Sequence, residues 1–223
     1  MTKFGRLPLK VLTRNELYEI HLASLEVLET IGVLVRDDYA LSVFKEAGAP
    51  VDMDRRIVNI PEQLVKEAVI KTPEMLTLYS MDNKHNLSVG GRKVHFRTSG
   101  GTTHVYDLET DEHRLALLKD LAEGMRLIDA LPNVHTCIDP VTPSQIRPEL
   151  IPHHVALTMF ENTRKHIHPL TYDGESARDV IEIAAMISGG MSELVKKPII
   201  SGVVQPVSPL QLEKKQTEIL VEF

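Results

Sequence analysis

Val134-His135-Thr136-Cys137-Ile138-Asp139-Pro140, with two later runs of the same kind, decides the reading of the fold. Each is a short apolar, β-branched stretch that ends in polar turn residues. The second is Ile167-His168-Pro169-Leu170, stopping at Thr171-Tyr172-Asp173, and the third is Ile199–Val204, stopping at Gln205-Pro206-Val207-Ser208-Pro209. Asp139 and Asp173 are 34 residues apart, Asp173 and Ser208 are 35 apart, and a helix-like pattern fills each gap. A strand, a polar loop and a helix at that period form the unit of a (β/α)₈ barrel, which spreads about 250 residues over eight units. The expected fold class is therefore α/β, a TIM-barrel type present as its N-terminal half. The chain stops at Phe223 inside a fourth helix pattern, so a fragment or truncated gene product is expected.

Working outward, Thr13-Arg14-Asn15-Glu16 reads as a capping box. A helical pattern follows through Leu17, Ile20, Leu25, Leu28 and Ile31 to a left-handed stop at Gly32. A second helix is expected from Asp37 or Asp38 to Gly48. Arg56–Ile60 alternates like a strand, and Pro61 opens a third helix that Thr72-Pro73 ends. This organisation predicts a mainly helical N-terminal extension over residues 1–85, with the half barrel over 86–223.

From Leu87 to His113 the chain turns β-like and glycine-rich. Gly90-Gly91 reads as a hairpin turn and Leu108–Glu112 as the tip of a second hairpin. The first barrel strand is Val94–Thr98 or Thr103–Asp107. Helices are expected over Leu118–Leu131, Pro148–Arg164 and Ser176–Ser188, the last opened by a weak capping box, Ser176-Ala177-Arg178-Asp179, and closed at Gly189-Gly190.

Composition narrows function. A net charge of −6, with acidic residues among the basic ones, gives no nucleic-acid or anionic-membrane footprint. No window approaches the roughly 18 consecutive apolar residues of a membrane span. Met1–Arg6 lacks the apolar core of a signal peptide. A soluble, cytoplasmic protein is expected. The single cysteine, Cys137, lies in an apolar run and reads as a buried small hydrophobe. There is no G-x-G-x-x-G, no phosphate loop and no G-x-S-x-G elbow, which argues against nucleotide, dinucleotide and serine-hydrolase chemistry.

Side chains at strand C-termini carry the chemistry of a barrel. Asp139 and Asp173 occupy such positions, and their plainer reading is as caps of the following loop or helix. Tyr172 is a loop tyrosine placed to offer a ring to a cation. His166 and His168 fall on one side of a strand, which keeps a metal-dependent hydrolase as the alternative. The plainer reading is a pair of hydrogen-bonded structural histidines. His153-His154 reads as a solvated or partly packed helix start, and His104 and His135 as strand residues in the core.

Several segments together are similar to the trimethylamine methyltransferase family, which includes glycine betaine methyltransferases. They are Leu28–Val35, Glu46–Asp52, Ile60–Val65, Gly100–Asp107, Asp129–Asn133 and Val207–Leu210, in order and spread across Leu12–Leu212. Leu117 departs from the pattern, standing where relatives tend to carry a helix-capping threonine. The resemblance implies methyl transfer from a methylated amine, a quaternary betaine or trimethylamine, to the Co(I) corrinoid (cobalamin) of a separate corrinoid protein. No cofactor or metal would be held by this chain. The family's pyrrolysine belongs to the C-terminal half of its methylamine branch. The candidate substrate-binding residues are Asp139, Tyr172, Asp173, Gln205 and Ser208. Pairing of two halves would make a homo-oligomer, and an inactive amine-binding fragment is the remaining alternative.

Overall fold

The computed structural model describes residues 10–223, and the reading of Met1–Arg6 lies outside them. The chain forms two units, one from residues up to Thr72 together with Val207–Leu212, the other from Pro73–Pro206 and Glu213–Phe223.

In the first unit, α1 (Arg14–Glu26) has the expected cap: Thr13 Oγ1 accepts from the Glu16 amide at 3.3 Å, and Glu16 accepts from the Thr13 amide at 2.7 Å. The helix passes through a π turn, Val27–Ile31, and Gly32 ends it at φ 80°. A side chain at Gly32 would meet the Val58 carbonyl at 2.7 Å, so the close approach and the positive φ both require glycine. Next come β1 (Val33–Val35), α2 (Asp38–Glu46), β2 (Val51–Asp52), β3 (Ile57–Val58) and α3 (Glu62–Lys71). The strands form an antiparallel ladder with β1 beside β3 and β3 beside β2. Val35, Leu41 and Val58 are fully buried in the core of this unit. This unit thus contains a small sheet that helical periodicity did not reveal.

The second unit opens with β4 (Met75–Leu78) paired antiparallel to β5 (Leu87–Gly90). Gly90 and Gly91 both have positive φ and make a turn. The partner of β5 is the preceding strand, however, so the expected hairpin at Gly90-Gly91 is corrected to a turn leading out of one. The second hairpin is present as β6 (His104–Tyr106) and β7 (His113–Leu115). Its tip closes through the Asp107 amide on the Glu112 carbonyl at 2.9 Å. Thr103–Asp107 is therefore a hairpin arm. Val94–Thr98 lies beside the next strand instead: Arg97 bridges Thr136 in parallel, and the His135 amide donates to the Phe96 carbonyl at 2.8 Å.

There follow α4 (Leu118–Ala130), β8 (Cys137–Ile138), α5 (Ile151–Asn162), β9 (Ile167–His168), α6 (Gly174–Ser188) and α7 (Met191–Lys196). β8 and β9 pair in parallel, and Ile167 bridges Ile200 in parallel. Four extended segments centred on Arg97, Thr136–Ile138, Ile167–His168 and Ile200 thus run parallel in chain order, separated by helices. Cys137, Ile167, Ile199 and Ile200 share a core with Leu121 and Met125 of α4, Val155 and Met159 of α5 and Val180 of α6. Since side chains alternate along a strand, Thr136, His166 and His168 fall on the other face of the sheet. The architecture is mixed helix and strand, and no closed barrel is formed among the described residues.

The chain then returns to the first unit as β10 (Gln211–Leu212), parallel to β1, before α8 (Lys214–Glu222) packs on α6 in the second. No described helix is long and apolar enough to cross a membrane.

Candidate functional site

The C-terminal ends of the parallel segments bring together two of the expected side chains and leave others apart. Asp139 follows β8 directly and is 1% exposed. Neither carboxylate oxygen has a hydrogen-bond partner. Burial pushes its pKa up to about 7, while the amides of Asp139 and Leu170 pull weakly the other way without completing a bond. The Asp139 carbonyl accepts from the Gly101 amide at 3.0 Å. A side chain at Gly100 would collide with Ile138 and lie 3.0 Å from that carbonyl, so the Ser99–Gly101 loop packs flush against this strand end.

Tyr172, on the loop after β9, is half-buried against the main core. Burial and then the Asp139 charge hold its hydroxyl above the usual range. Asp173 caps α6: its Oδ1 accepts from the Ser176 amide at 3.1 Å, and Ser176 Oγ accepts from the amides of Tyr172 and Asp173 at 2.9 and 3.1 Å. The Ser176 amide, more than any other group, holds the Asp173 carboxyl below its ordinary range, with Lys215 at 3.6 Å contributing. The helix therefore starts at Gly174, and the expected box opening at Ser176 is corrected by the stronger cap three residues earlier.

Tyr172 and Asp173 line a cavity of about 620 Å³ with Glu149, Glu175, Asp179 and His153. His153 Nε2 sits 2.7 Å from Asp179 Oδ2, which frees Asp179 from the capping role expected of it. This histidine–carboxylate pair was missed because Asp179 was assigned to a cap. Its signal in the sequence is weak, namely a histidine in the first turn of one helix and an acid in the first turns of the next.

Gln205 is exposed, its amide donating to Gln216 Oε1 at 3.1 Å. Ser208 is exposed in the Val207–Leu212 segment of the first unit. Neither lies among the residues that line the cavity.

The histidine pair has a different use. His166 is 1% exposed, with Nδ1 2.9 Å from the Tyr79 carbonyl and Nε2 2.8 Å from Ser201 Oγ. A carbonyl only accepts, so Nδ1 carries the proton and Nε2 accepts from the serine hydroxyl. Thr136 Oγ1 donates to the His166 carbonyl at 2.7 Å, so His168 Nε2, at 3.0 Å, must be the donor to that oxygen. Burial, then the neighbouring His166 ring and the Arg97 charge, push His168 down to about 4. Both rings are neutral and hydrogen-bonded. No group of three potential metal ligands occurs among the described residues, and both histidines are taken up by these hydrogen bonds. Other histidine expectations divide: His135 is built in, accepting from the Phe96 amide at 3.1 Å, whereas His104 is exposed and stacks on His113. Cys137 is buried as expected, its thiol pushed up to about 12 mainly by burial.

The parallel segments separated by helices, with a carboxylate and a tyrosine after two of them, make this a chain of mixed helix and strand. Comparison with known sequences agrees on the relatives. Residues 3–223 match the family model described as Trimethylamine methyltransferase (MTTB), and the chain belongs to this family. It is 34% identical to a trimethylamine methyltransferase of Desulfitobacterium hafniense (strain DSM 10664 / DCB-2), over 93% of this chain and 42% of that protein. It is 32% identical to a trimethylamine methyltransferase of Methanosarcina barkeri (strain Fusaro / DSM 804), over 96% of this chain and 44% of the relative. A glycine betaine methyltransferase of Desulfitobacterium hafniense (strain Y51) is 25% identical, over 96% and 44%. The chain spans less than half the length of these relatives. Homologues of both kinds are methyltransferases.

Proposed function

We propose that this chain is the N-terminal, substrate-binding part of a corrinoid-dependent amine methyltransferase. In this reading its parallel segments begin a (β/α)₈ barrel, preceded by an N-terminal extension over residues 1–85. The observation that carries it is the buried, unpartnered carboxylate of Asp139 beside Tyr172, at the strand ends of a chain from a family of methyltransferases. A methylammonium group needs negative charge and an aromatic surface, and this corner of the molecule supplies both.

The methyl acceptor is the Co(I) corrinoid of a partner protein, a substrate that these residues do not bind. The N–CH₃ bond breaks with its electron pair staying on nitrogen. A quaternary betaine therefore leaves as a neutral tertiary amine and needs no acid catalyst, which favours it over trimethylamine as donor. Asp139, Tyr172 and Asp173 hold the cation and fix the N–CH₃ axis.

The reading is tested by mixing the chain with the remaining C-terminal portion of the Desulfitobacterium hafniense trimethylamine methyltransferase, a reduced corrinoid protein and either glycine betaine or trimethylamine. Methyl transfer is followed by the loss of the Co(I) spectrum. Transfer that needs both protein pieces and one of the amines is expected. Transfer unaffected by leaving out this chain would overturn the assignment.

A further inference from the structure

A carboxylate taken out of water is unfavourable unless it is protonated or paired. Asp139 has neither oxygen hydrogen-bonded and is 1% exposed. The titratable groups that feel its charge are Cys137, on its own strand, and Tyr172, on the loop after β9. Neither is a cation. The Ser99–Gly101 loop packed against the strand end has no titratable side chain. No basic side chain among the described residues contributes to holding Asp139 ionised. In the free protein, therefore, the neutral carboxylic acid is the favoured form below about pH 7. Tyr172 belongs to two surroundings at once, lining the cavity and lying within reach of the Asp139 charge.

We infer that a quaternary ammonium ion entering this site expels a proton from Asp139, so that binding is an exchange of one cation for another. The neutral acid and the incoming ion become a carboxylate–ammonium pair, and the proton leaves to bulk water. The charge of the site is then the same before and after. Such an exchange suits a pocket of low dielectric, because no step leaves an unpaired buried charge. It also selects for a permanent cation, which has no proton of its own to surrender. This inference rests on the amine-binding reading above.

The test is proton release in weakly buffered solution as the chain is saturated with tetramethylammonium, which has no titratable group. With Asp139 held near 7, about half a proton per bound ion is expected at pH 7, close to one at pH 6 and close to none at pH 9. Asp139→Asn abolishes the release, whereas Glu193→Gln, an exposed carboxylate of α7 outside the cavity, retains it. Carboxyl ¹³C NMR of the ligand-free chain, assigned with Asp139→Asn, supplies an independent reading. Titration of Asp139 in the ordinary carboxylate range overturns the exchange. So does binding without proton release, which leaves the amine-binding reading standing. Failure of the wild-type chain to bind tetramethylammonium, glycine betaine or trimethylammonium overturns both readings.

Discussion

Asp139 and Lys165 are both buried ionisable side chains of the second unit, and the fold treats them in opposite ways. Lys165 is 3% exposed, and its ammonium donates to the carbonyls of Ile128, Leu131 and Val134 at 2.6, 2.8 and 2.7 Å. It closes the C-terminal end of α4 and ties that end to the approach of β8. Lys165→Met keeps the apolar stem and leaves those carbonyls without a donor. A loss of about 3 kcal/mol is expected, at roughly 1–3 kcal/mol per stranded group with partial relief by water, read as the shift in denaturant midpoint. Asp139 has no such satisfaction. Its pKa is raised from 3.8 to about 7 on folding, so between those values the folded chain binds the extra proton. Stability from this group is therefore present at low pH and declines as pH rises through 7. The cost at full ionisation is on the order of 4 kcal/mol. Asp139→Asn should accordingly stabilise the chain at pH 8 and change little at pH 4. Equal shifts at both values would show that the carboxylate is hydrated. The place of Asp139 at a strand end was legible from the repeat. Its isolation was not, because which side chains converge on it depends on loops far apart in sequence.

The start of α6 shows why a motif read alone misplaces an element. Asp173-Gly174-Glu175-Ser176 and Ser176-Ala177-Arg178-Asp179 overlap, and both have capping chemistry. The first prevails because Ser176 serves the amides of Tyr172 and Asp173 together while Asp173 serves Ser176. A side chain at Gly174 would also come within 3.0 Å of Glu218 on α8, so the tight first turn lets that helix pack closely. The Asp173 carboxylate thus has two roles that substitution separates. Asparagine caps about as well as aspartate, whereas alanine costs about 1 kcal/mol. Asp173→Asn and Asp173→Ala should weaken glycine betaine binding to a similar degree, by severalfold, through loss of charge. Only the alanine variant should lower the melting temperature. Equal affinity in both variants and wild type would mean that Asp173 is a cap and nothing more. At α4, Leu117 has no capping oxygen, yet Asp120 still accepts from the Leu117 amide at 2.7 Å, and Arg114 holds Asp120 and Asp107 together. The Leu117 departure is absorbed by this ion-pair network, which ties the β6–β7 hairpin to the helix start.

For the whole chain, the parallel succession of Val134–Asp139, Ile167–Thr171 and Ile199–Val204 was legible because apolar runs and helix patterns alternate at nearly constant spacing. The small sheet of the first unit was not. Its strands are two or three residues long, and Gln211–Leu212 joins β1 across a gap of about 175 residues, which no local periodicity encodes. Each unit has its own buried cluster, Val35, Leu41 and Val58 in one and Leu121, Met159, Ile167 and Val180 in the other. Separate cores predict separable opening. Leu41 is fully buried, and Leu41→Ala should cost about 2–5 kcal/mol by removing three heavy atoms' worth of packing and leaving a cavity. Hydrogen exchange followed segment by segment is the measurement. Protection should fall across β1, α2, β3 and also Val207–Leu212, despite its distance in sequence, while the amides of α4, α5 and β9 keep theirs. A uniform loss across both sets would show that the chain opens as one cooperative body. Loss confined to residues before Thr72 would show that β10 is held by something other than the β1 ladder.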